Sequence, residues 1–111
     1  MKKAIIITLL LAFSHVAALA QIYVKGVRLT PDNTGQYVEL DPQFRPDGRC
    51  SFIADYGQPN PKQDYVSEAD GKRLDFNSLV DGLNVFYAEG WEVAHITLVG
   101  NNRRYLLKRR Y

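Results

Sequence analysis

Between residues 21 and 111 the chain holds one histidine, His95, and one cysteine, Cys50. General-base or nucleophilic chemistry near neutral pH would start from these two side chains. Neither has a recognisable arrangement around it. His95 sits in the middle of WEVAHITLV, residues 91–99, where a solvent-facing or hydrogen-bonded histidine is the expected reading. A metal centre needs several His, Cys or carboxylate ligands to converge, and one His plus one Cys does not suggest that. Asp70, Asp75 and Asp81 fall on a turn, a helix start and a helix face, where solvation and capping account for them. No glycine loop is placed to cradle a phosphate, because Gly82 and Gly90 lie inside and at the end of a helical pattern. The expectation is a non-catalytic protein with no cofactor and no metal.

Charge is the next source of chemistry. Arg103, Arg104, Lys108, Arg109 and Arg110 place five bases in the last nine residues with no acid among them. The fourteen Lys and Arg, less Lys2 and Lys3, leave twelve against twelve Asp and Glu, so this is a basic strip on an otherwise acidic body. Tyr105 and Tyr111 lie within it, a combination that can bind polyanions. The candidate anion or partner surface is His95, Arg104, Lys108 and Arg110. The alternative is that exposed Lys and Arg protect an edge strand from pairing with another chain. A second partner class is a protein, or a second copy of the chain, added along an open sheet edge.

The choice among polyanions turns on export. Residues 1–20, MKKAIIITLLLAFSHVAALA, have the basic start, apolar run and small-residue end of a secretory signal peptide. Ser14 and His15 interrupt the apolar stretch, which is shorter than the roughly 20 residues that cross a bilayer. Cleavage is expected after Ala20, and Gln21 rather than a cysteine follows, so lipid attachment is not supported. Residues 21–111 are then one domain, periplasmic or secreted, with no further apolar run resembling a transmembrane helix. That setting favours anionic lipid, acidic polysaccharide or acidic protein over nucleic acid as a partner. A single thiol allows no internal disulfide, so stability must come from packing. Cys50 reads as a small apolar strand residue, with pairing between chains as the alternative.

These residues must be positioned by a few short elements. IYVKGVRL, residues 22–29, reads as a first strand with a bulge or close approach at Gly26, and residues 30–35 as a turn. QYVEL (36–40) and CSFIADY (50–56) read as a hairpin about Pro46-Asp47-Gly48. Residues 57–63 form a surface connection, and Asp70-Gly71 a turn or short hairpin. From 75 to 90, Phe76, Leu79, Val80, Leu83, Phe86 and Tyr87 recur at helical spacing. Asp75 or Asn77 would cap this helix, Gly90 would end it, and Gly82 would allow close approach to the sheet. Trp91, the only tryptophan, would pack back on Phe86 and Val85, making Gly90-Trp91 a structural junction.

Residues 91–99 and 103–111 form the last hairpin. A two-residue turn at Asn101-Asn102 would gather Ala94, Ile96, Leu98, Tyr105 and Leu107 on one face. His95, Thr97, Arg104, Lys108 and Arg110 would then share the other, with Leu106 as the apolar exception. The fold class is α+β: a small antiparallel sheet of about five strands, in the order β-β-β-α-β-β, with one amphipathic helix on one face.

FNSLVDGLN, EGWEV and YLLKRR together resemble the helix, Gly-Trp-Glu junction and terminal strand of the bacterial domain of unknown function 4177 family. The chain is also similar to small exported bacterial proteins of unknown function that carry an Asp-Tyr-Gly-Gln stretch, here Asp55 to Gln58. The likeness spans roughly residues 50–111 and implies one helix packed on an antiparallel sheet, with no activity and no catalytic residue to carry over. The functional expectation is an exported, non-catalytic accessory or protein-interaction module of the bacterial envelope or periplasm. The alternative is binding of an anionic surface or ligand through the basic C-terminal hairpin.

Overall fold

A computed structural model describes residues 21–111; the expected signal peptide, residues 1–20, lies outside the described residues. The element order is β1 (Tyr23–Val24), β2 (Val27–Arg28), α1 (Pro31–Thr34), β3 (Tyr37–Phe44), β4 (Cys50–Asp55), a 3₁₀ turn (Pro61–Gln63), α2 (Leu79–Ala88), β5 (Trp91–Val99) and β6 (Asn102–Arg109). This is the expected α+β class, with an antiparallel sheet ordered β4-β3-β6-β5 and a separate β1-β2 ribbon. No helix among the described residues is long and apolar enough to cross a membrane.

Three local readings change. The single first strand is a tight hairpin, because Lys25 and Gly26 both take positive φ, at 49° and 80°. That is the requirement of a two-residue type I′ turn. Residues 31–34, expected as a turn, make one short helical turn. The main helix begins at Leu79 rather than at 75: Phe76 is drawn into extended pairing with Cys50, exchanging backbone bonds of 2.7 and 2.9 Å. Ser78 is therefore the cap in place of Asp75 or Asn77, its hydroxyl accepting from the Asp81 amide at 3.1 Å.

Alternation along the strands puts Val38, Leu40, Phe52, Ala54, Tyr105 and Leu107 on one sheet face, all buried. Helix α2 lies on that face through Gly82 and Phe86. The Phe52 ring meets Phe86 edge-on and tilts against Phe76, with ring centroids 5.6 Å apart in each case. A Cβ at position 82 would overlap the Phe52 ring edge and stand 2.7 Å from its Cζ. Seating this notch on a ring rolls the helix, leaving Val80 and Tyr87 exposed while Val85 turns partly inward.

The two sheet edges are treated differently. Alongside β4, Val66 donates to Phe52 O at 2.8 Å, Ala54 to Asp64 O at 2.9 Å, and Leu74 to Val66 O at 3.0 Å. Tyr23 and Ser67 exchange bonds of 2.9 and 2.7 Å farther out. The chain between β4 and α2 thus covers that edge, with the Asp70-Gly71 reading realised as a small hairpin closed by Ser67 and Arg73. At the other edge, β5 pairs with β6 alone among the described residues.

Candidate functional site

The β5–β6 hairpin turns at Gly100-Asn101, since Val99 pairs with Asn102, and not at Asn101-Asn102 as expected. Gly100 has φ +63° and Asn101 no positive φ, the pattern of a type II′ turn with glycine first. The partner of each residue near the tip therefore moves by two positions, which leaves its face unchanged. Ile96 lies opposite Tyr105, Leu98 opposite Arg103, and Thr97 opposite Arg104. Closer to the body a bulge between Val93 and His95 absorbs Ala94, so Val93 instead of Ala94 joins the apolar face, opposite Leu107.

That apolar face is only half covered. Trp91 and Leu107 are buried beneath α2, but every residue from Val93 to Val99 is exposed, with Ile96 half exposed and Leu98 69 % exposed. Helix α2 is seated through Gly82 on Phe52 of β4, and although its first residue, Leu79, borders a cleft with Asn101 and Arg103 at the hairpin tip, the far half of β5 stays uncovered. Val93, Ile96 and Leu98 therefore present an apolar row to solvent along an edge strand whose outer side is unpaired among the described residues, an arrangement typical of an interaction site. The binary pattern of residues 91–99 was visible in the sequence. What covers the pattern was not, because that depends on how α2 is seated on Phe52.

The expected basic surface is divided by the fold. His95, Arg104 and Lys108 do share the open sheet face, opposite the helix. Arg104 lies 3.5 Å from Glu39 and Lys108 3.7 Å from Glu92, both acids on neighbouring strands. Such exposed pairs add little stability, yet each sets a carboxylate beside the base and weakens its field. Arg109 pairs with Asp32 of α1. Arg110 leaves the face and stacks 4.3 Å over the Tyr87 ring of α2 and 4.6 Å over Tyr111.

Gly90 and Trp91 tie the hairpin to the body and to the N-terminal segment. Gly90 follows the helix end with φ +103°, and a Cβ there would press on Pro31 at 3.3 Å. Trp91 is fully buried in the core that includes Phe86, with Val85 packed partly buried against it. Its indole N–H also donates to Leu29 O at 3.1 Å, a long-range bond that the sequence does not announce. Beside it Arg28 meets Glu89 at 3.2 Å, lining a polar cleft with Thr30, Asp32 and Arg109.

Glu89 follows the last turn of α2 with its side chain 5 % exposed. Burial raises its pKa above the usual carboxylate value, and the attraction of Arg28 only partly opposes this; the negative helix end also disfavours a carboxylate there. A carboxyl raised in the fold binds its proton more readily there than in the unfolded chain, so its contribution favours folding at low pH. That contribution is lost as pH rises from the unfolded value, about 4.3, through the raised folded value. Glu89→Gln is accordingly expected to melt above the parent at pH 7, with the gap closing toward pH 4. A variant that melts lower at pH 7 would show that the Arg28 pair dominates instead.

The Asp-Tyr-Gly-Gln stretch has a structural use. Asp55 Oδ1 accepts from the Gly57 amide at 2.9 Å, and Gln58 Oε1 from the Tyr56 amide at 2.8 Å. The Gln58 amide group donates to Ala54 O at 2.8 Å and to Asp64 Oδ2 at 3.0 Å. Asp64, buried, is also 2.8 Å from Lys25 Nζ, and the Lys25 contact and the Gln58 bond hold its pKa below the ordinary value. This network fastens the β1-β2 turn to the segment alongside β4. The bonds of this network all run between protein groups, which describes a clasp rather than a substrate site.

Among the described residues no group of three or more His, Cys, Asp or Glu side chains is placed to hold a metal ion. Cys50 is fully buried, burial pushes its thiol pKa up, and in the folded chain it is shielded from another thiol. No family model, curated protein or solved structure matches the chain.

Proposed function

We propose that the chain is a protein-interaction module, non-catalytic and exported to the bacterial envelope or periplasm, which takes a partner strand along β5. The observation that carries this reading is the outer edge of β5, unpaired among the described residues, with Val93, Ile96, Leu98 and Val99 exposed beside it. Such an edge offers main-chain hydrogen bonds for affinity and alternate apolar side chains for specificity. The signal-peptide pattern of residues 1–20 supports the location. Binding of anionic lipid or polysaccharide through the hairpin is the weaker alternative, because Arg104, Lys108 and Arg109 each have a carboxylate nearby.

A photo-crosslinking residue placed at Leu98 in the native host should give discrete adducts in the envelope fraction, and Ile96→Lys should abolish them. Equal labelling from a site on the far side of the molecule, such as Lys72, would sink the proposal. Salt-sensitive retention on anionic vesicles, lost in Arg104→Glu/Lys108→Glu, would put the alternative in its place.

A further inference from the structure

We propose that the strand added to β5 is β5 of a second copy, paired antiparallel about a two-fold axis through Thr97. This rests on β5 being the interaction edge and adds the identity of its occupant. The bulge between Val93 and His95 and the turn after Val99 leave one regular stretch, His95–Val99, and Thr97 is its midpoint.

The backbone is set for that register. In a two-residue hairpin the closing pair, Val99 and Asn102, exchanges both hydrogen bonds, and bonding then alternates along the strand. His95, Thr97 and Val99 therefore turn their backbone groups to β6, while Ile96 and Leu98 turn theirs to the open edge. A two-fold axis at Thr97 places Ile96 opposite Leu98 of the second copy, so the outward donors and acceptors meet in pairs. Thr97 meets its own counterpart as a non-hydrogen-bonded pair.

The side chains agree with the backbone. Ile96 and Leu98 lie on the apolar face in both copies, and pairing joins them into one four-residue cluster. A two-fold axis normal to the sheet keeps that face on the same side in both copies, which permits Ile96–Leu98 pairs and forbids pairs between residues of opposite faces. No like charges are brought together: His95 faces Val99, and the bulge stops pairing before Glu92 is reached. The stretch carries neither the lysine nor the proline that shields most edges.

The area involved decides the strength. Two exposed apolar side chains, Ile96 and Leu98, and one strand edge bury about 400 Å² per copy, roughly half the area each partner contributes to a standard specific interface. The dimer is therefore weak and concentration-dependent, in roughly the micromolar range.

Disulfide trapping tests the register. A non-hydrogen-bonded antiparallel pair sets its Cα atoms about 4.5 Å apart, within disulfide reach, and the native thiol of Cys50 is buried. Under mild oxidation the purified Thr97→Cys protein should form a disulfide-linked dimer at least about tenfold faster than Lys72→Cys, an exposed control, because pairing raises the local thiol concentration. Adding Leu98→Lys should return Thr97→Cys to the control rate without lowering the melting temperature, since Leu98 is largely exposed. Light scattering of the unmodified protein should show mass rising from monomer to dimer across micromolar concentrations. A Thr97→Cys rate equal to the control, with a monomer throughout, overturns self-pairing. If Leu98 then still crosslinks to a different protein in the host, only the identity of the occupant has failed; if it does not, the interaction edge itself has failed.

Discussion

Trp91→Ala is expected to cost the fold about 3–5 kcal/mol, the largest loss of any single substitution considered. A domain of this size has only about 5–10 kcal/mol to lose, so the variant should be largely unfolded at modest denaturant concentration. Two terms combine. The indole is fully buried beside Phe86 and Leu107, so truncation leaves a cavity where α2, β5 and the segment before α1 meet. Its N–H bond to Leu29 O also disappears, leaving a carbonyl without its partner at about 1–3 kcal/mol. Trp91→Phe separates the terms: it keeps most of the apolar area and loses the bond, so its denaturation midpoint should fall between those of the parent and the alanine variant. If Trp91→Ala unfolds within about 1 kcal/mol of the parent, the tryptophan is not the junction described.

What could be read from the sequence follows the range of the interaction concerned. The α+β class, the hairpin of residues 36–56, the glycine at the helix end and the faces of the last hairpin rest on periods of two and 3.6 residues and on turn chemistry. All are local. The Lys25-Gly26 turn is not legible because lysine is not a residue that ordinarily takes positive φ; the Asp64 contact that accompanies it lies far along the chain. The helix start is hidden for a similar reason. Phe76 fits the apolar face of a helix by spacing, and only its backbone pairing with Cys50 withdraws it. In the candidate surface of His95, Arg104, Lys108 and Arg110 the two acid contacts are not legible: Glu39 comes from β3, whose place beside β6 is not local, and Glu92 stands opposite Lys108 only through the Gly100-Asn101 turn and the bulge between Val93 and His95. The exposed row on β5 stayed hidden for the converse reason: an apolar residue at a strand period reads as core until the seating of the covering helix is known.

Gly82→Ala tests which of two opposed effects governs α2. Helix propensity alone predicts a gain of about 1 kcal/mol from replacing a mid-helix glycine with alanine. Against it stands the Phe52 ring, whose edge occupies the space the new methyl group would need. The ring is fully buried and held by Phe76 and Phe86, so it has little room to retreat and the helix must lift instead. Overpacking of this kind costs about 1–3 kcal/mol and occasionally more, so the net change should be destabilising by about 1–2 kcal/mol in chemical denaturation. Phe52→Leu is expected to destabilise the parent by leaving space beside Gly82, and the same space should accept the alanine. The double variant should then be more stable than the sum of the single losses predicts, the coupling expected of residues in direct contact. A stabilising Gly82→Ala, or strictly additive losses in the double variant, would mean that the glycine does not set the height of the helix. In that case the roll of α2 would need another cause, and with it the exposure of the β5 row on which the interaction edge depends.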